Sequence, residues 1–461
     1  MEQLTCFKAY DIRGEIGVTL SDELAWRIGR AYAAWCQPRR VVVGCDARLS
    51  SPGLKKALSE GLIAGGVEVI DIGQCGTEEV YFATRYLQTD GGIQVTASHN
   101  PAQYNGMKLV MAEARPLHGE NGLNYLKAQV QHNVFSPPAQ AGSYHEADIR
   151  PAWAAHVLTY LHTPPGRVLK IVVNAGHGAA GPALDALDHA LRQRGIMTAF
   201  IRLHHQPDGT FPAGVPNPML RENRAATRAA VLAHQADFGV AWDGDFDRCF
   251  FFDEQGDFIE SYYLVGLFAQ TLLRDNPGET ILLDPRLTWN TLDTVREAGG
   301  KAIITRTGHA FIKARMREEH ALYGGEMSGH HYFRDFGYCD SGMIPLLLMM
   351  QIVGQHSRPL SAWIHTAQLR YPVSGEINLQ VDSPDAAIAC IAEYYTPQGG
   401  VRDECDGLSI EFPTWRFNVR ASNTEPLLRV NIETRADRPL LAQKTDELLR
   451  LLTHPTPTGS L

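Results

Sequence analysis

The sequence predicts three related α/β mixed-sheet domains followed by a C-terminal α+β domain. Three observations lead there. At 461 residues the chain exceeds one ordinary hydrophobic core, which calls for about three or four domains. One plan recurs three times: a β-branched run, a polar or glycine-bearing turn, an amphipathic helix, a glycine and a second β-branched run, the grammar of a βαβ unit. After the third repeat the pattern turns to the alternation of half-buried antiparallel strands.

In the first repeat Val41-Val42-Val43 leads into Gly44-Cys45-Asp46-Ala47-Arg48, and Leu54, Ala57, Leu58 and Leu62 recur at helical spacing before Gly65-Gly66 and a strand over 67–72. The second runs from Lys170-Ile171-Val172-Val173 through Asn174-Ala175-Gly176-His177-Gly178 and a helix to Gly195, then a strand over 197–203. The third runs from Thr280-Ile281-Leu282-Leu283 through Asp284-Pro285-Arg286 and a helix to Gly299-Gly300, then a strand over 302–305. Three crossovers of one large sheet would read the same way, but polar, proline-bearing breaks favour separate domains. Phe135-Ser136-Pro137-Pro138 and Thr163-Pro164-Pro165-Gly166 bracket one boundary, the polar run 253–257 marks the next, and 368–374 with Pro372 the last. Domains are therefore expected over 1–149, 150–253, 254–367 and 368–461. In the last, 415–420 and 427–433 read as strands, 440–452 as a helix with leucines at helical spacing, and 454–461 as a frayed tail.

A formal charge of −9 with mixed signs leaves no basic footprint, so nucleic acid and anionic membrane are excluded as expected partners. The eight cysteines form no C-x-x-C pair and no ligand spacing with histidine, and read as buried thiols of a reducing compartment. Charges at Glu2, Lys8 and Asp11 replace the apolar core of a secretory signal. The most apolar run, Met343 to Gly354, is too short to span a bilayer and is interrupted by Pro345. A cytoplasmic protein is expected.

Two stretches carry the chemistry. Asp243-Gly244-Asp245-Phe246-Asp247-Arg248 follows the strand-like run Phe238 to Trp242, and three carboxylates at i, i+2 and i+4 can converge on a hard cation such as Mg²⁺. An EF-hand would open the same way, but its sixth position needs glycine and holds Arg248, between strand-like flanks. Thr96-Ala97-Ser98-His99-Asn100-Pro101 places a short nucleophile beside an imidazole on a turn that Pro101 keeps out of helix, with Lys108 ten residues on. No G-x-S-x-G is present, so a hydrolase elbow is disfavoured. A phosphorylated Ser98 would need cationic and metal company of this kind.

Gly324-Gly325-Glu326-Met327-Ser328-Gly329-His330-His331 can bond vicinal sugar hydroxyls; its histidine pair has no further ligand spaced to complete a metal site. Arg420-Ala421-Ser422-Asn423-Thr424-Glu425-Pro426, with Arg429 beyond it, is a donor-dense turn suited to an anion. Gly176, Gly178 and Gly181 match G-x-G-x-x-G, but Leu203-His204-His205 supplies no acid after the next strand, so the dinucleotide fingerprint is incomplete.

Together with Tyr10-Asp11-Ile12-Arg13-Gly14 and Gly308-His309, these motifs resemble, in order and along nearly the whole chain, the α-D-phosphohexomutase superfamily, in its bacterial phosphomannomutase branch. The resemblance implies four domains around a central cleft, closed by the C-terminal one. It implies that a phosphoserine at Ser98 passes its phosphoryl group to a hexose phosphate, forming a hexose 1,6-bisphosphate that turns over and returns the other phosphate. One Mg²⁺ per chain would be held by Asp243, Asp245, Asp247 and a phosphoserine oxygen at Ser98, with hexose 1,6-bisphosphate as activator. His99 and Arg248 join the implied catalytic set, and Arg13, Lys108 and His309 are left open as proton-transfer groups. Glu326 and Ser328 would hold sugar hydroxyls, and Arg420, Ser422, Asn423 and Thr424 the distal phosphate. Tyr10, Arg286, Gly308, His330 and Arg429 complete the implied substrate contacts. Partners are then small hexose phosphates, and the assembly a monomer or homodimer, serving GDP-mannose synthesis for polysaccharide. Phosphoglucomutase, phosphoglucosamine mutase and a silent sugar-phosphate sensor are the alternatives. The first is held open by the C2 epimers, and the second is disfavoured by Ala421 and Asn423 where R-P-S-G-T-E-P is typical.

Overall fold

In the computed structural model, residues 4–421 and 427–453 are described. The three repeats fold with one strand order. Arg40–Cys45 lies between Glu68–Gln74 and Gly91–Val95, parallel to both. Leu169–Asn174 lies likewise between Thr198–Leu203 and Phe238–Trp242, and Thr280–Leu283 between Lys301–Ile304 and Tyr323–Gly325. The crossover helices after the central strands are Ser51–Ala64, Ala180–Gln193 and Trp289–Glu297.

This order puts the loop after the first strand beside the loop after the third, at the carboxyl ends of parallel strands where open α/β sheets bind ligands. Hydrogen bonds record the pairing each time. Thr96 Oγ1 donates to Asp46 Oδ2 at 2.7 Å, the Ala179 N–H to the Gly244 carbonyl at 3.0 Å, and the Met327 N–H to Asp284 Oδ2 at 2.9 Å. The serine, acidic and sugar-loop motifs each follow a third strand, whereas Gly308-His309 follows the second strand of its repeat, Lys301–Ile304.

Antiparallel neighbours make the sheets mixed. Tyr104–Met111 pairs antiparallel with Gly91–Val95 and with Ile12–Glu15, and Cys249–Phe252 pairs antiparallel with Phe238–Trp242. The last sheet is wholly antiparallel, in the order Ile377–Gln380, Leu427–Thr434, Trp415–Ala421, Leu408–Glu411, Val401–Asp403. Helices Pro384–Tyr395 and Arg438–Thr453 cover it, burying Ile391, Leu448 and Leu452 against Phe417, Val419 and Ile432. Each fully buried leucine contributes about 2 kcal/mol.

The chain divides into two compact units, one comprising the residues up to Phe258 with His330–Pro359, the other Ile259–Gly329 with the residues from Leu360 onward. Some local expectations need correction. Pro345 does not interrupt the apolar run: it stands in the first turn of helix Ile344–Gln355, where its missing N–H costs nothing. Pro439 likewise lets the last helix begin at Arg438, before the first leucine. The cysteines carry no disulfide, but Cys405 is exposed and Cys36 and Cys390 only half-buried. No helix among the described residues is long and apolar enough to cross a membrane.

Candidate active site

Ser98 lies three residues beyond strand Gly91–Val95 with φ +50°, a left-handed backbone unusual for a residue with a side chain. Its Oγ donates to Asp243 Oδ2 at 2.7 Å, and its N–H donates to Thr96 Oγ1 at 2.8 Å. Asp243, Asp245 and Asp247 are all buried, with carboxylate oxygens within 4.8 Å of one another. Serine and carboxylates, 145 residues apart in sequence for the Ser98–Asp243 pair, meet at one point.

Gly244 makes the meeting possible, because a Cβ there would stand 2.4 Å from the Ser98 carbonyl oxygen. Gly244→Ala is expected to leave a folded protein, by circular dichroism, whose kcat falls about 100-fold as the two loops separate. Close approach also explains the glycines of the incomplete dinucleotide fingerprint. A Cβ on Gly178 would meet the Gly244 oxygen at 2.6 Å, and one on Gly181 the His205 oxygen at 1.9 Å, so both glycines serve loop packing.

Two cations face the three carboxylates. Lys108 Nζ donates to Asp245 Oδ2 at 2.7 Å and to Asp247 Oδ2, and Arg248 donates to Asp243 Oδ2 through Nε at 2.9 Å and Nη2 at 2.8 Å. Thr77 Oγ1 also donates to Asp245 Oδ2. One negative charge is left over, and Asp245 Oδ1 and Asp247 Oδ1 are buried with no hydrogen-bond partner among the described residues. Orphaned hard oxygens in a net-negative cluster fit a divalent cation such as Mg²⁺.

Charge and burial divide the carboxylates. Burial would raise Asp245, but the charge and hydrogen bond of Lys108, with the Thr77 hydrogen bond, hold it well below the usual carboxylate range. Asp247 is pushed up by burial and then by the charge of Asp245. Burial opposes the Lys108 charge, yet Asp245 and Asp247 raise its pKa overall. His99 is driven well below its ordinary value by burial, then by Arg248 and Arg13, and is neutral at pH 7. Its Nδ1 lies 3.1 Å from Ser98 Oγ and accepts from Arg248 Nη2, since a guanidinium can only donate.

Arg13, on strand Ile12–Glu15, donates to Asp11 at 2.8 Å and to Asn100 Oδ1 of the serine loop. Tyr10, half-buried, precedes that strand. His330, half-buried, bridges to Arg248 through its backbone. Its Nδ1 stands 2.9 Å from Asp340 Oδ2, and Asp247, His330 and Asp340 form a second group able to hold a metal. Of the histidine pair it is His330 that joins this group, with Asp340 brought in by the turn after Phe333.

The other unit carries the remaining motifs. Arg420 and Arg429 face each other across antiparallel strands, and both point with Arg286 at one carboxylate, Glu376. The separations are 3.5 Å from Arg286, 4.0 Å from Arg420 and 3.9 Å from Arg429, with Asp406 a further 3.5 Å from Arg420. Burial, then the charge of Arg286, lowers the Arg420 pKa. Three guanidiniums around Glu376 suit a phosphate. Glu326, buried, accepts from the Gly308 N–H at 3.0 Å where helix His309–Glu318 begins; Ser328 and His309 are half-buried. Ser422, Asn423 and Thr424 lie outside the described residues.

Sequence reasoning missed Thr77, Asp340, Glu376 and Asp406 as participants, and nothing local marks them. Asp46 and Arg48 did carry a signal, since Asp46-Ala47-Arg48 and Asp284-Pro285-Arg286 repeat one D-x-R after the first strand of a repeat.

A buried carboxylate trio with orphaned oxygens, a hydroxyl bonded to it and two cations at the same point equip a metal-assisted phosphoryl-transfer enzyme. Comparison with known proteins agrees. Residues 4–135, 152–256, 260–371 and 376–451 match, respectively, α/β/α domains I, II and III and the C-terminal domain of phosphoglucomutase/phosphomannomutase. The phosphomannomutase of Salmonella typhimurium LT2 is 53% identical over 454 residues, covering 98% of this chain and 100% of that one. The phosphohexose mutases of Xanthomonas campestris strain B100 are 52% identical over 449 residues, covering 97% and 99%. A crystal structure of a phosphoglucomutase/phosphomannomutase family protein from Burkholderia thailandensis superposes with TM-score 0.88 at 32% identity, covering 100% of this chain and 99% of that one. The chain belongs to the phosphoglucomutase/phosphomannomutase family, whose members interconvert phosphohexoses.

Proposed function

We propose that this chain is a cytoplasmic phosphomannomutase that interconverts mannose 6-phosphate and mannose 1-phosphate through phosphorylated Ser98 and a hexose 1,6-bisphosphate. The observation that carries the reading is the 2.7 Å contact of Ser98 Oγ with Asp243 inside the buried carboxylate trio. Mannose as the sugar is supported by full-length relatives of that name at 51% to 53% identity.

In the forward half-reaction the phosphoserine P–Oγ bond breaks as a sugar hydroxyl oxygen bonds phosphorus, and the proton that hydroxyl loses is balanced by the one Ser98 Oγ gains in becoming a free hydroxyl. In the reverse half Ser98 Oγ takes the other phosphoryl group from the bisphosphate. Mg²⁺, held by Asp243, Asp245 and Asp247, would supply neutralisation of phosphoryl charge. Arg248 and Lys108 add fixed positive charge at the same point, which in-line transfer needs more than covalent help. With their pKa values raised, Arg13 and Lys108 hold their protons and suit charge neutralisation rather than proton acceptance. Neutral His99 stands with Nδ1 3.1 Å from Ser98 Oγ while that nitrogen accepts from Arg248, tying the guanidinium to the serine loop. Glu326 and Ser328 grip sugar hydroxyls, and Arg286, Arg420 and Arg429 bind the phosphate that is not being transferred. The product, a sugar 1-phosphate, suits nucleotidyl transfer to GDP-mannose.

A broader specificity is favoured by one observation: a relative of equal identity is named for phosphohexoses rather than for mannose. Steady-state assays with mannose 1-phosphate and glucose 1-phosphate, given a trace of bisphosphate, separate the two readings. Turnover of mannose 1-phosphate that EDTA abolishes is expected. Comparable turnover of glucose 1-phosphate would make the enzyme dual, and turnover of neither would overturn the proposal.

A further inference from the structure

The serine loop is held by a pair of residues from another loop. Arg48, with its side chain 1% exposed, donates through Nη1 to the carbonyls of Pro101 at 2.8 Å and Tyr104 at 2.9 Å, and through Nη2 to those of Ser98 at 2.8 Å and Asn100 at 2.6 Å. Four backbone oxygens of one short loop thus converge on a single guanidinium. Asp46 holds the other side. Its carboxylate accepts from the Arg48 N–H at 3.0 Å, from Ser51 Oγ and from Thr96 Oγ1 at 2.7 Å, and Thr96 Oγ1 in turn accepts from the Ser98 N–H. Ser98 is therefore gripped at both its N–H and its carbonyl while it sits at φ +50°. A left-handed non-glycine residue persists only where its surroundings over-determine it, and these contacts are what over-determine this one.

The equivalent D-x-R of the third repeat shows that the arrangement is a particular use of the motif. There Arg286 turns Nε and Nη2 back onto Asp284 at 3.0 Å and 2.7 Å and leaves Nη1 for Glu376. The Arg48 guanidinium instead approaches Asp46 through Nε, at 3.3 Å, and commits both terminal nitrogens to the serine loop. The Phe211 ring, 5.4 Å from its centre, and a backbone bridge to Gly209 fix the guanidinium in place.

We propose that Arg48, braced by Asp46, is a positioning residue that sets the attack geometry of Ser98 by holding the four carbonyls of its loop. The inference rests on the mutase reading. It assigns Arg48 no contact with metal or sugar. A lysine, with one point-like ammonium, cannot reproduce a planar fork that reaches four acceptors.

The test follows phosphorylation of Ser98 by glucose 1,6-bisphosphate, using intact mass and peptide mapping, in the full-length wild type, Arg48→Lys and Thr96→Val. Thr96→Val removes the acceptor for the Ser98 N–H at nearly constant volume, and serves if Arg48→Lys does not fold. The wild type should become phosphorylated, and Arg48→Lys should do so about 100-fold more slowly, with kcat falling in parallel. KM and the Mg²⁺ dissociation constant of the unphosphorylated enzyme by calorimetry should stay within about threefold, because the side chains of Asp243, Asp245 and Asp247 and the sugar contacts are untouched. Thr96→Val should show the same split at smaller size. Phosphorylation of both variants at the wild-type rate would overturn the inference, as would a joint fall of rate, substrate affinity and Mg²⁺ affinity, the mark of general loosening. Absence of phosphate on wild-type Ser98 would overturn the mutase reading and this inference with it.

Discussion

Ser98→Ala should reduce turnover by about 10⁴-fold or more, because no other group can carry the phosphoryl between the two halves of the reaction. The protein should otherwise stay intact. The serine hydroxyl contributes one hydrogen bond, to Asp243, worth about 1.5–3 kcal/mol for a charged acceptor. Alanine tolerates the left-handed backbone no worse than serine. Binding of hexose phosphate should persist, since the guanidinium cluster at Arg286, Arg420 and Arg429 is untouched. Loss of turnover with retained binding, and with no phosphate detectable by mass spectrometry, is the expected set of results. Substantial turnover in Ser98→Ala would remove the phosphoserine from the mechanism.

The second large effect is expected from Asp245→Asn. Asp245 is kept ionised, with Lys108 and Thr77 both bonded to Oδ2 while Oδ1 is left for another partner. The amide keeps the shape but removes a full charge, and it can set an NH₂ against the Lys108 ammonium. Mg²⁺ affinity should fall by at least about 100-fold by calorimetry, and kcat by about 10³-fold at fixed Mg²⁺. Partial recovery of kcat at high Mg²⁺ would separate lost affinity from lost chemistry. A variant with unchanged Mg²⁺ affinity would show that the cation binds elsewhere, and the Asp247, His330 and Asp340 group would then be the place to look.

What the sequence made legible follows the range of the interactions involved. The repeats were readable because each βαβ unit is specified within a few dozen residues by apolar period and turn chemistry, as in 40–74 and 169–203. The motifs after the third strands were readable because their chemistry is local: Asp243, Asp245 and Asp247 are two residues apart, and Ser98 adjoins its histidine. Partners reached through the fold were not. Glu376, the shared carboxylate of three arginines, follows a proline break with nothing nearby to mark it. Asp340 gains its meaning only when a turn brings it to His330. Arg48 was in view as part of a turn, yet its four carbonyl partners lie 50 to 56 residues away. Pro345 misled for a physical reason, since proline ends a helix from within but begins one from the first turn. Mannose and glucose differ at C2, and none of the side chains assigned here reads that position.

The most direct test is anomalous diffraction from crystals of the phosphorylated enzyme soaked in Mn²⁺. One peak bounded by carboxylate oxygens of Asp243, Asp245 and Asp247 and by an oxygen on Ser98 is the expected result. A peak on other ligands, or none in a crystal whose Ser98 carries phosphate, would contradict the idea that serine and acids act around a common ion.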